Sequence, residues 1–314
     1  MFLNFLLHPQ AQPVIDTFLA NGGKSFEKIG EITTLRATYE NNCRLAVMQN
    51  LDHIQSFDIS NYIENEPIKL RIYDQQIDRV ELRPTVLFIH GGGWVMGNLN
   101  SHDSICRKLA EIAAVRVIAV DYRLAPEVKF PVPLEDCRRA LQYIIDHQDE
   151  LSVDPTRMVV VGDSAGGNLA GHLGQNFFQH YGYALKAQVL LYPVITYLPE
   201  SESYQTYQTG FPLVASTMHW FFEQLLSSPQ QHSQISLLEQ PFIANNGDIF
   251  LLTLEHDPLR DEALLYLDKA VKSGLNVEYH HLKGLMHGVF TLAGKLPVAE
   301  QYLESVGNYI AKRI

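Results

Sequence analysis

The spacing of apolar residues changes near residue 55. Before it, apolar side chains recur at helical spacing, at Val14, Ile15, Phe18 and Leu19 and then at Leu35, Tyr39 and Leu45. After it, short apolar runs predict strands at 57–63, 68–73, 85–89, 115–120, 158–161, 189–192, 249–254 and 277–282. Between them, helices are predicted at 104–112, at 138–145 and after the glycines at 166 and 167. Continuous apolar strands separated by helices indicate an α/β fold with a mostly parallel sheet covered on both faces.

Composition narrows the class of protein. A chain of 314 residues, 46% hydrophobic and 19% charged, fits a single α/β domain with an accessory lid. The net charge of −11 argues against nucleic acid as a partner and does not favour docking to an anionic membrane. The three cysteines, Cys43, Cys106 and Cys137, match no metal-site spacing and are interpreted as reduced, partly buried thiols of a cytoplasmic protein.

The chain offers no run of about 20 apolar residues, the length that a membrane-spanning helix needs. The apolar N-terminus, residues 1–7, has no basic residue before it and no convincing cleavage site after it. We interpret it as the start of a helix rather than as a signal peptide. Stable membrane insertion is therefore not expected.

In parallel sheets, ligands bind beyond the carboxyl ends of the strands, and the chemical motifs of this chain fall at four such ends. One is Gly162-x-Ser164-x-Gly166, directly between a predicted strand and a helix. This pattern is typical of a tight, strained turn that raises a serine hydroxyl above the sheet as a nucleophile. The alternative, a chance match in a glycine-rich turn, is weakened by the strand before it and the helix after it.

A histidine and a carboxylate follow the last two predicted strands. His287 lies in a glycine-flanked loop, from which its imidazole can turn toward Ser164 and act as the general base. Asp257 follows the strand at 249–254 and can accept the other imidazole N–H. Glu255 and Asp261 are competitors for that role, although Asp261 is better explained as a capping or salt-bridging residue. The chain order, Ser164 then Asp257 then His287, is the one expected for α/β-hydrolases.

A third motif, His90-Gly91-Gly92-Gly93-Trp94, follows the strand at 85–89. A turn of this kind can present backbone N–H groups to one point, as an oxyanion formed during acyl transfer requires. We assign these donors to Gly92 and Gly93, together with the N–H of Ala165. A phosphate-binding interpretation is weak, because no Gly-Lys-Ser/Thr follows.

With these motifs, the sequence resembles the bacterial hormone-sensitive-lipase-like esterases of the GDSAGG subgroup. The resemblance covers roughly residues 68–290 and rests on several motifs in the family's order: HGGGWVMG at 90–97, DYRLAPE at 121–127, FPxPxED at 130–136, GDSAGGNLA at 162–170, DPLRD at 257–261 and HG at 287–288. The family often has phenylalanine two residues after the catalytic histidine, where this chain has Val289 followed by Phe290.

The resemblance implies an α/β-hydrolase core of eight strands in a single domain, residues 1–314. It implies a helical cap built from about 1–50 and 196–240, two segments that match the family only loosely. It supports Ser164, Asp257 and His287 as a catalytic triad, with Gly92, Gly93 and Ala165 as oxyanion donors. Arg123 and Glu127 would form a network that supports the site without touching substrate.

The expected activity is hydrolysis of small carboxylic esters with short to medium acyl chains, through an acyl-enzyme and without a metal or organic cofactor. Aromatic residues at 197–225 form either a substrate-binding wall or ordinary cap packing. The alternatives are an amidase, thioesterase or carbamate hydrolase with the same triad, a non-catalytic binding protein of the same fold, and an interfacial lipase. The oligomeric state stays undetermined, and a homodimer is one possibility.

Overall fold

A computed structural model describes residues 6–63, 66–77, 81–243 and 247–314. Eight strands form one sheet in the order β1-β2-β4-β3-β5-β6-β7-β8. Strands β3 to β8 run parallel to one another, whereas β1 and β2 pair antiparallel at one edge. The strands are β1 Gln55–Ile63, β2 Glu66–Asp74, β3 Arg83–Ile89, β4 Arg116–Asp121, β5 Val153–Asp163, β6 Ala187–Leu191, β7 Asp248–His256 and β8 Val277–Met286. This confirms the predicted mostly parallel sheet.

Helices precede the first strand, fill most connections between the later strands and follow the last one. They are α1 Gln12–Ala20, α2 Ile32–Arg44, α3 Asp103–Ala113, α4 Val132–Asp146, α5 Ala165–Tyr181, α6 Glu202–Thr206, α7 Ala215–Leu225, α8 His232–Ile235, α9 Arg260–Lys272 and α10 Pro297–Ala311. Short 3₁₀ helices lie at Phe26–Lys28, Pro229–Gln231, Leu237–Glu239 and Val289–Lys295.

The core lies in two layers, one on each face of the sheet. Along β3, Val86 and Phe88 pack into one layer, and Leu87 and Ile89 into the other. Helices α3 and α10 cover the first face, while α4, α5 and α9 cover the second. Because both faces of the central strands are buried, their sequences are continuous apolar runs rather than alternating ones.

The interpretation of residues 1–7 as the start of a helix is wrong for the part that can be described. Residues 1–5 lie outside the described residues, and Leu6 and Leu7 are not helical. Helix α1 begins only at Gln12. The physical reason is Pro9, since the residue before a proline is driven away from helical geometry, whereas Pro13 fits the first turn of α1.

Two further expectations concern the chain as a whole. Cys43, Cys106 and Cys137 are buried free thiols. Across the described ranges, none of the helices combines the length and the hydropathy that crossing a lipid bilayer requires.

Candidate active site

Ser164 occupies the sharp turn between β5 and α5. Its backbone angles, φ 54° and ψ −121°, are strained for a residue with a side chain. The turn closes only because its neighbours are glycines: a methyl group on Gly162 would lie 2.2 Å from the Gly166 carbonyl oxygen, and one on Gly166 would lie 2.1 Å from that of Ile89. Helix α5 begins at Ala165, ahead of the start predicted after residue 167, so Gly166 and Gly167 lie in its first turn. The serine hydroxyl is therefore held at the carboxyl end of the sheet.

The structure brings the three side chains predicted from the sequence into one hydrogen-bonded chain. His287 follows β8, and its Nε2 lies 2.8 Å from Ser164 Oγ. Its Nδ1 lies 2.7 Å from Oδ2 of Asp257, which follows β7. Because an ionised carboxylate can only accept, Nδ1 carries the proton and Nε2 accepts from the serine hydroxyl. The second oxygen of Asp257 accepts the N–H of Leu259 at 2.9 Å, which fixes the carboxylate in place.

The competing carboxylates face other partners. Glu255 accepts the N–H of Gly284 at 2.6 Å, and Asp261 accepts the N–H of Ser203 at 2.8 Å. His256 stacks on the ring of Phe211. Of the three acidic residues in this segment, only Asp257 is hydrogen-bonded to the imidazole of His287.

Packing orients the imidazole of His287. The ring of Tyr192 meets it edge to face at 4.9 Å, and Phe290 packs on Tyr192 at 5.6 Å. Val289, at the position where the family often has phenylalanine, is buried. Phe290 thus supplies an aromatic contact beneath the histidine loop, from one position further along the chain.

The glycine-rich loop after β3 lies against the nucleophile turn. Gly92 and Gly93 have φ values of 114° and 62°, which residues with side chains rarely adopt. A methyl group on Gly92 would lie 2.2 Å from the Met96 carbonyl oxygen. Ala165 is the first residue of α5, where backbone N–H groups have no partner within the helix. The loop and the helix start thus contribute backbone donors at the same end of the sheet as Ser164.

A buried network that the sequence analysis missed joins this loop to the nucleophile turn. Asp163 accepts the N–H of Gly91 at 2.8 Å and lies 3.2 Å from Nε2 of His102. Burial alone would raise the pKa of Asp163, but His102 and the Gly91 N–H outweigh burial and lower it. Asp163 was visible in the GDSAGG motif, whereas nothing in the sequence pointed to His102 as its partner.

His90 braces the loop from below. It is buried, stacks on Tyr122 with ring centres 4.3 Å apart, and accepts through its carbonyl the hydroxyl of Tyr122 at 2.9 Å. Burial, with a smaller contribution from His102, lowers the pKa of His90 to about 3. His90 is therefore a neutral packing residue at ordinary pH.

The expected network of Arg123 with Glu127 stays a prediction, and each of the two residues has a partner that the sequence did not indicate. Arg123 pairs with Asp136 of α4 at 2.7 Å, and Glu127 is exposed and pairs with Arg36 of α2 at 2.7 Å. Arg36 also donates to the carbonyl of Val95 just after the glycine-rich loop. These two partners lie on helices outside the DYRLAPE motif, Asp136 on α4 and Arg36 on α2.

Aromatic side chains from α7 cover the site. A methyl group on Gly93 would lie 2.4 Å from the ring of Phe221, so this ring packs directly on the loop. Phe222 packs against Trp94 at 5.6 Å and against Tyr197 at 4.9 Å. Ser164 itself is only 7% exposed.

Comparisons with known proteins agree with this architecture. The sequence pattern of the alpha/beta hydrolase fold family matches residues 86–291. The chain is 33% identical over 247 residues to ethyl acetate hydrolase of Pseudomonas putida, covering 77% of this chain and 78% of that one. It is 33% identical over 245 residues to carboxylesterase NlhH of Mycobacterium tuberculosis, covering 74% and 75%.

Solved structures give the same result. An esterase of Pyrobaculum calidifontis superposes with a TM-score of 0.84 at 30% identity, over 98% of both chains. A thermostable esterase of Pseudomonas putida superposes with a TM-score of 0.89 at 26% identity, over 98% of this chain and 97% of that one. The chain therefore belongs to the alpha/beta hydrolase fold family, in its hormone-sensitive-lipase-like esterase group, and is a serine carboxylesterase.

Proposed function

We propose that the protein hydrolyses carboxylic esters with short to medium acyl chains, with Ser164 as nucleophile, His287 as general base and Asp257 as the group that orients the base. The observation that carries this proposal is the unbroken hydrogen-bonded chain from Ser164 Oγ through His287 to Asp257, with links of 2.8 and 2.7 Å. An oriented serine–histidine–carboxylate chain is the arrangement that activates a hydroxyl for acyl transfer.

In the first step, Ser164 Oγ attacks the ester carbonyl carbon while His287 Nε2 takes the hydroxyl proton. The carbonyl electrons move to oxygen, which becomes an oxyanion. When the intermediate collapses, the bond to the alkoxy group breaks, and the imidazolium returns its proton to the departing alcohol. Asp257 stays ionised throughout and stabilises the imidazolium. The product of this step is an acyl-enzyme on Ser164.

The backbone N–H groups of Gly92, Gly93 and Ala165 are proposed to bind the oxyanion. They lie on a closely packed loop and at a helix start, and donors already in place need no reorientation during the reaction. Removing one such donor typically costs about 10²–10³-fold in kcat. The Asp163 carboxylate, through its bond to Gly91, ties the donor-bearing loop to the nucleophile turn.

In the second step, water replaces the alcohol. His287 removes a proton from it as its oxygen attacks the acyl carbon, and the bond to Ser164 then breaks with return of the proton to Oγ. The acid leaves and the free enzyme is restored. Activity falls at acid pH, because a protonated imidazole cannot accept the serine proton.

We further propose that residues from about 1–50 and 196–240 form a cap that limits the acyl chain; residues 1–5 lie outside the described part. Phe26 of the first segment packs near Phe221 of the second, and Glu27 accepts the hydroxyls of Ser216 and Thr217. The ring of Phe221 fills the space above Gly93. A roof of this kind favours small acyl groups, and one relative of the chain is named ethyl acetate hydrolase.

The test is hydrolysis of p-nitrophenyl acetate, butyrate, octanoate and palmitate by the wild type and by Ser164→Ala. The expected profile favours the short esters, and the variant should lose at least about 10³-fold in kcat. Ser305→Ala, an exposed serine on α10, is the matched control and should match the wild type. Equal trace activity in wild type and Ser164→Ala would refute the proposal. So would hydrolysis of p-nitroanilides of the same acids without hydrolysis of the esters, since that result would indicate an amidase.

A further inference from the structure

A second buried carboxyl group lies beside Asp257. Glu262, on the first turn of α9, is 0% exposed. Its Oε1 accepts the backbone N–H of Ile195 at 2.8 Å and lies 3.4 Å from that of Thr196. Its Oε2 is buried and has no hydrogen-bond partner among the described residues. None of the family motifs considered above assigns this residue a role.

The segment that Glu262 holds is the one beneath the nucleophile. It continues from β6, whose Leu191 carbonyl accepts the N–H of Ser164 at 2.9 Å. Three residues later, the N–H of Val194 donates to the Ser164 carbonyl at 3.1 Å. Tyr192, between them, contacts the imidazole of His287. Glu262 therefore links the helix that follows Asp257 to the segment that supports both Ser164 and His287.

Among the residues that the structure describes, no cation is hydrogen-bonded to the carboxyl of Glu262 or acts on its pKa. Asp257 and Asp261, from its own segment, are acidic, and from α6 it is faced by the phenol of Tyr204. The nearby cation, Arg260, pairs with Asp261 at 2.9 Å. Burial raises the pKa of Glu262 well above its usual range, with Asp257 and Asp261 adding to the effect. The N–H groups of Ile195 and Thr196 lower the pKa but do not offset burial, so the environment favours the neutral carboxyl.

We propose that Glu262 is a positioning residue that works as a neutral carboxylic acid: one oxygen anchors the Ile195–Thr196 backbone, and the other carries a proton toward Tyr204. Neutrality leaves Asp257, the carboxylate hydrogen-bonded to His287, without a second buried negative charge beside it on α9. The hydroxyl of Tyr204 is buried, and burial together with the neighbouring Glu262 raises the pKa of Tyr204, so this hydroxyl lies near enough to accept that proton. The inference rests on the proposed roles of Ser164, His287 and Asp257.

Glu262→Gln separates a neutral group from a charged one. The amide oxygen can accept the same N–H groups, and the amide nitrogen can donate toward Tyr204. We expect kcat to match the wild type within about twofold. The acid limb of the pH profile of kcat/KM should keep its wild-type position. If Glu262 were ionised, the substitution would remove a negative charge near the imidazolium, lower the pKa of that group and move the acid limb to lower pH. Such a shift would overturn the proposal.

Glu262→Leu removes the anchor while keeping the bulk. We expect kcat per active site to fall at least about tenfold with KM changed less than about threefold, because the substrate surface is untouched. Active sites are counted with diethyl p-nitrophenyl phosphate, which releases one p-nitrophenolate for each reactive serine. A wild-type kcat per counted site would reduce Glu262 to a merely structural residue. Glu304→Gln on α10 is the exposed control.

Infrared difference spectra test the protonation directly and need no activity. The spectrum of wild type minus Glu262→Gln should show the C=O band of a protonated carboxylic acid at neutral pH. Carboxylate bands in its place would refute the inference even if Glu262→Leu failed to fold. If the wild type did not hydrolyse esters, the proposed function would be overturned. The infrared result would still decide the protonation state of Glu262, because it does not depend on activity.

Discussion

Asp257→Asn has an outcome that follows from two hydrogen bonds. In the wild type, Oδ1 accepts the N–H of Leu259 at 2.9 Å and Oδ2 accepts the Nδ1–H of His287 at 2.7 Å. In the variant, the amide oxygen is required at the Leu259 side, which places the amide NH₂ against His287. Nδ1 must then accept, so the imidazole proton moves to Nε2. An Nε2–H donates to Ser164 and cannot take its proton.

The magnitude follows from the two amide orientations. The wrong tautomer in a serine–histidine–aspartate system costs about 10⁴-fold in kcat. The flipped amide restores the tautomer but leaves the Leu259 N–H without an acceptor, which costs about 1–3 kcal/mol. That orientation is thus a minority by roughly 5- to 150-fold, and it lacks the negative charge that stabilises the imidazolium. We expect kcat to fall by at least about 10²-fold and at most about 10⁴-fold.

The assay is steady-state hydrolysis of p-nitrophenyl butyrate by wild type, Asp257→Asn and Asp261→Asn. KM should change little, because Asp257 is buried behind the imidazole. Asp261→Asn is the matched control, since Asp261 does not contact His287, and it should stay within about threefold of the wild type. Retention of more than a tenth of the wild-type kcat by Asp257→Asn, or a larger loss in Asp261→Asn, would refute the reasoning.

Three further predictions concern the cap and the stability of the fold. Phe221→Ala should shift the preference among p-nitrophenyl esters toward longer acyl chains, because the ring packs on Gly93; an unchanged profile would exclude this ring as the limit. Glu27→Gln should lower Tm at pH 7, and the difference should vanish in acid. Burial would raise the pKa of Glu27, but hydrogen bonds from three hydroxyls lower it overall. The contribution of ionised Glu27 to the stability of the fold is therefore present above about pH 4 and is lost as the pH falls through the lowered pKa. A difference that persists in acid would contradict this. Asp74→Ala should cost about 3–5 kcal/mol in the free energy of unfolding by urea, because it leaves buried Arg116 without its partner at 3.0 Å; a loss below about 1 kcal/mol would show that the pair is dispensable.

The sheet was predictable because its central strands leave little choice. In β5, three consecutive valines at 159–161 are buried on both faces, and only a covered parallel sheet accommodates them. The bounds were less predictable. Strand β5 begins at Val153 rather than at residue 158, and Val153 pairs with Arg83 of β3. The first residues of the strand include the polar Asp154 and Thr156. Apolar periodicity does not mark such a polar extension.

The residues proposed for catalysis were found because each needs a local signature. Ser164 requires glycines on both sides, and His287 and Asp257 follow strands that end at the same edge of the sheet. The supporting residues have no such signature. Asp163 with His102, and Glu262 with the segment after β6, meet only through tertiary packing over 61 or more positions of sequence. The ion pair of Glu127 with Arg36 was missed for the same reason.

The central claim is that Ser164 carries the acyl group. Wild-type protein mixed with p-nitrophenyl butyrate should release a burst of p-nitrophenolate and, after acid quenching within one turnover, carry one butyryl group. Peptide mass spectrometry should place that group on Ser164, and Ser164→Ala should acquire none. An acyl group on any other residue, or hydrolysis by the wild type with no trapped acyl-enzyme and no burst, would contradict the account.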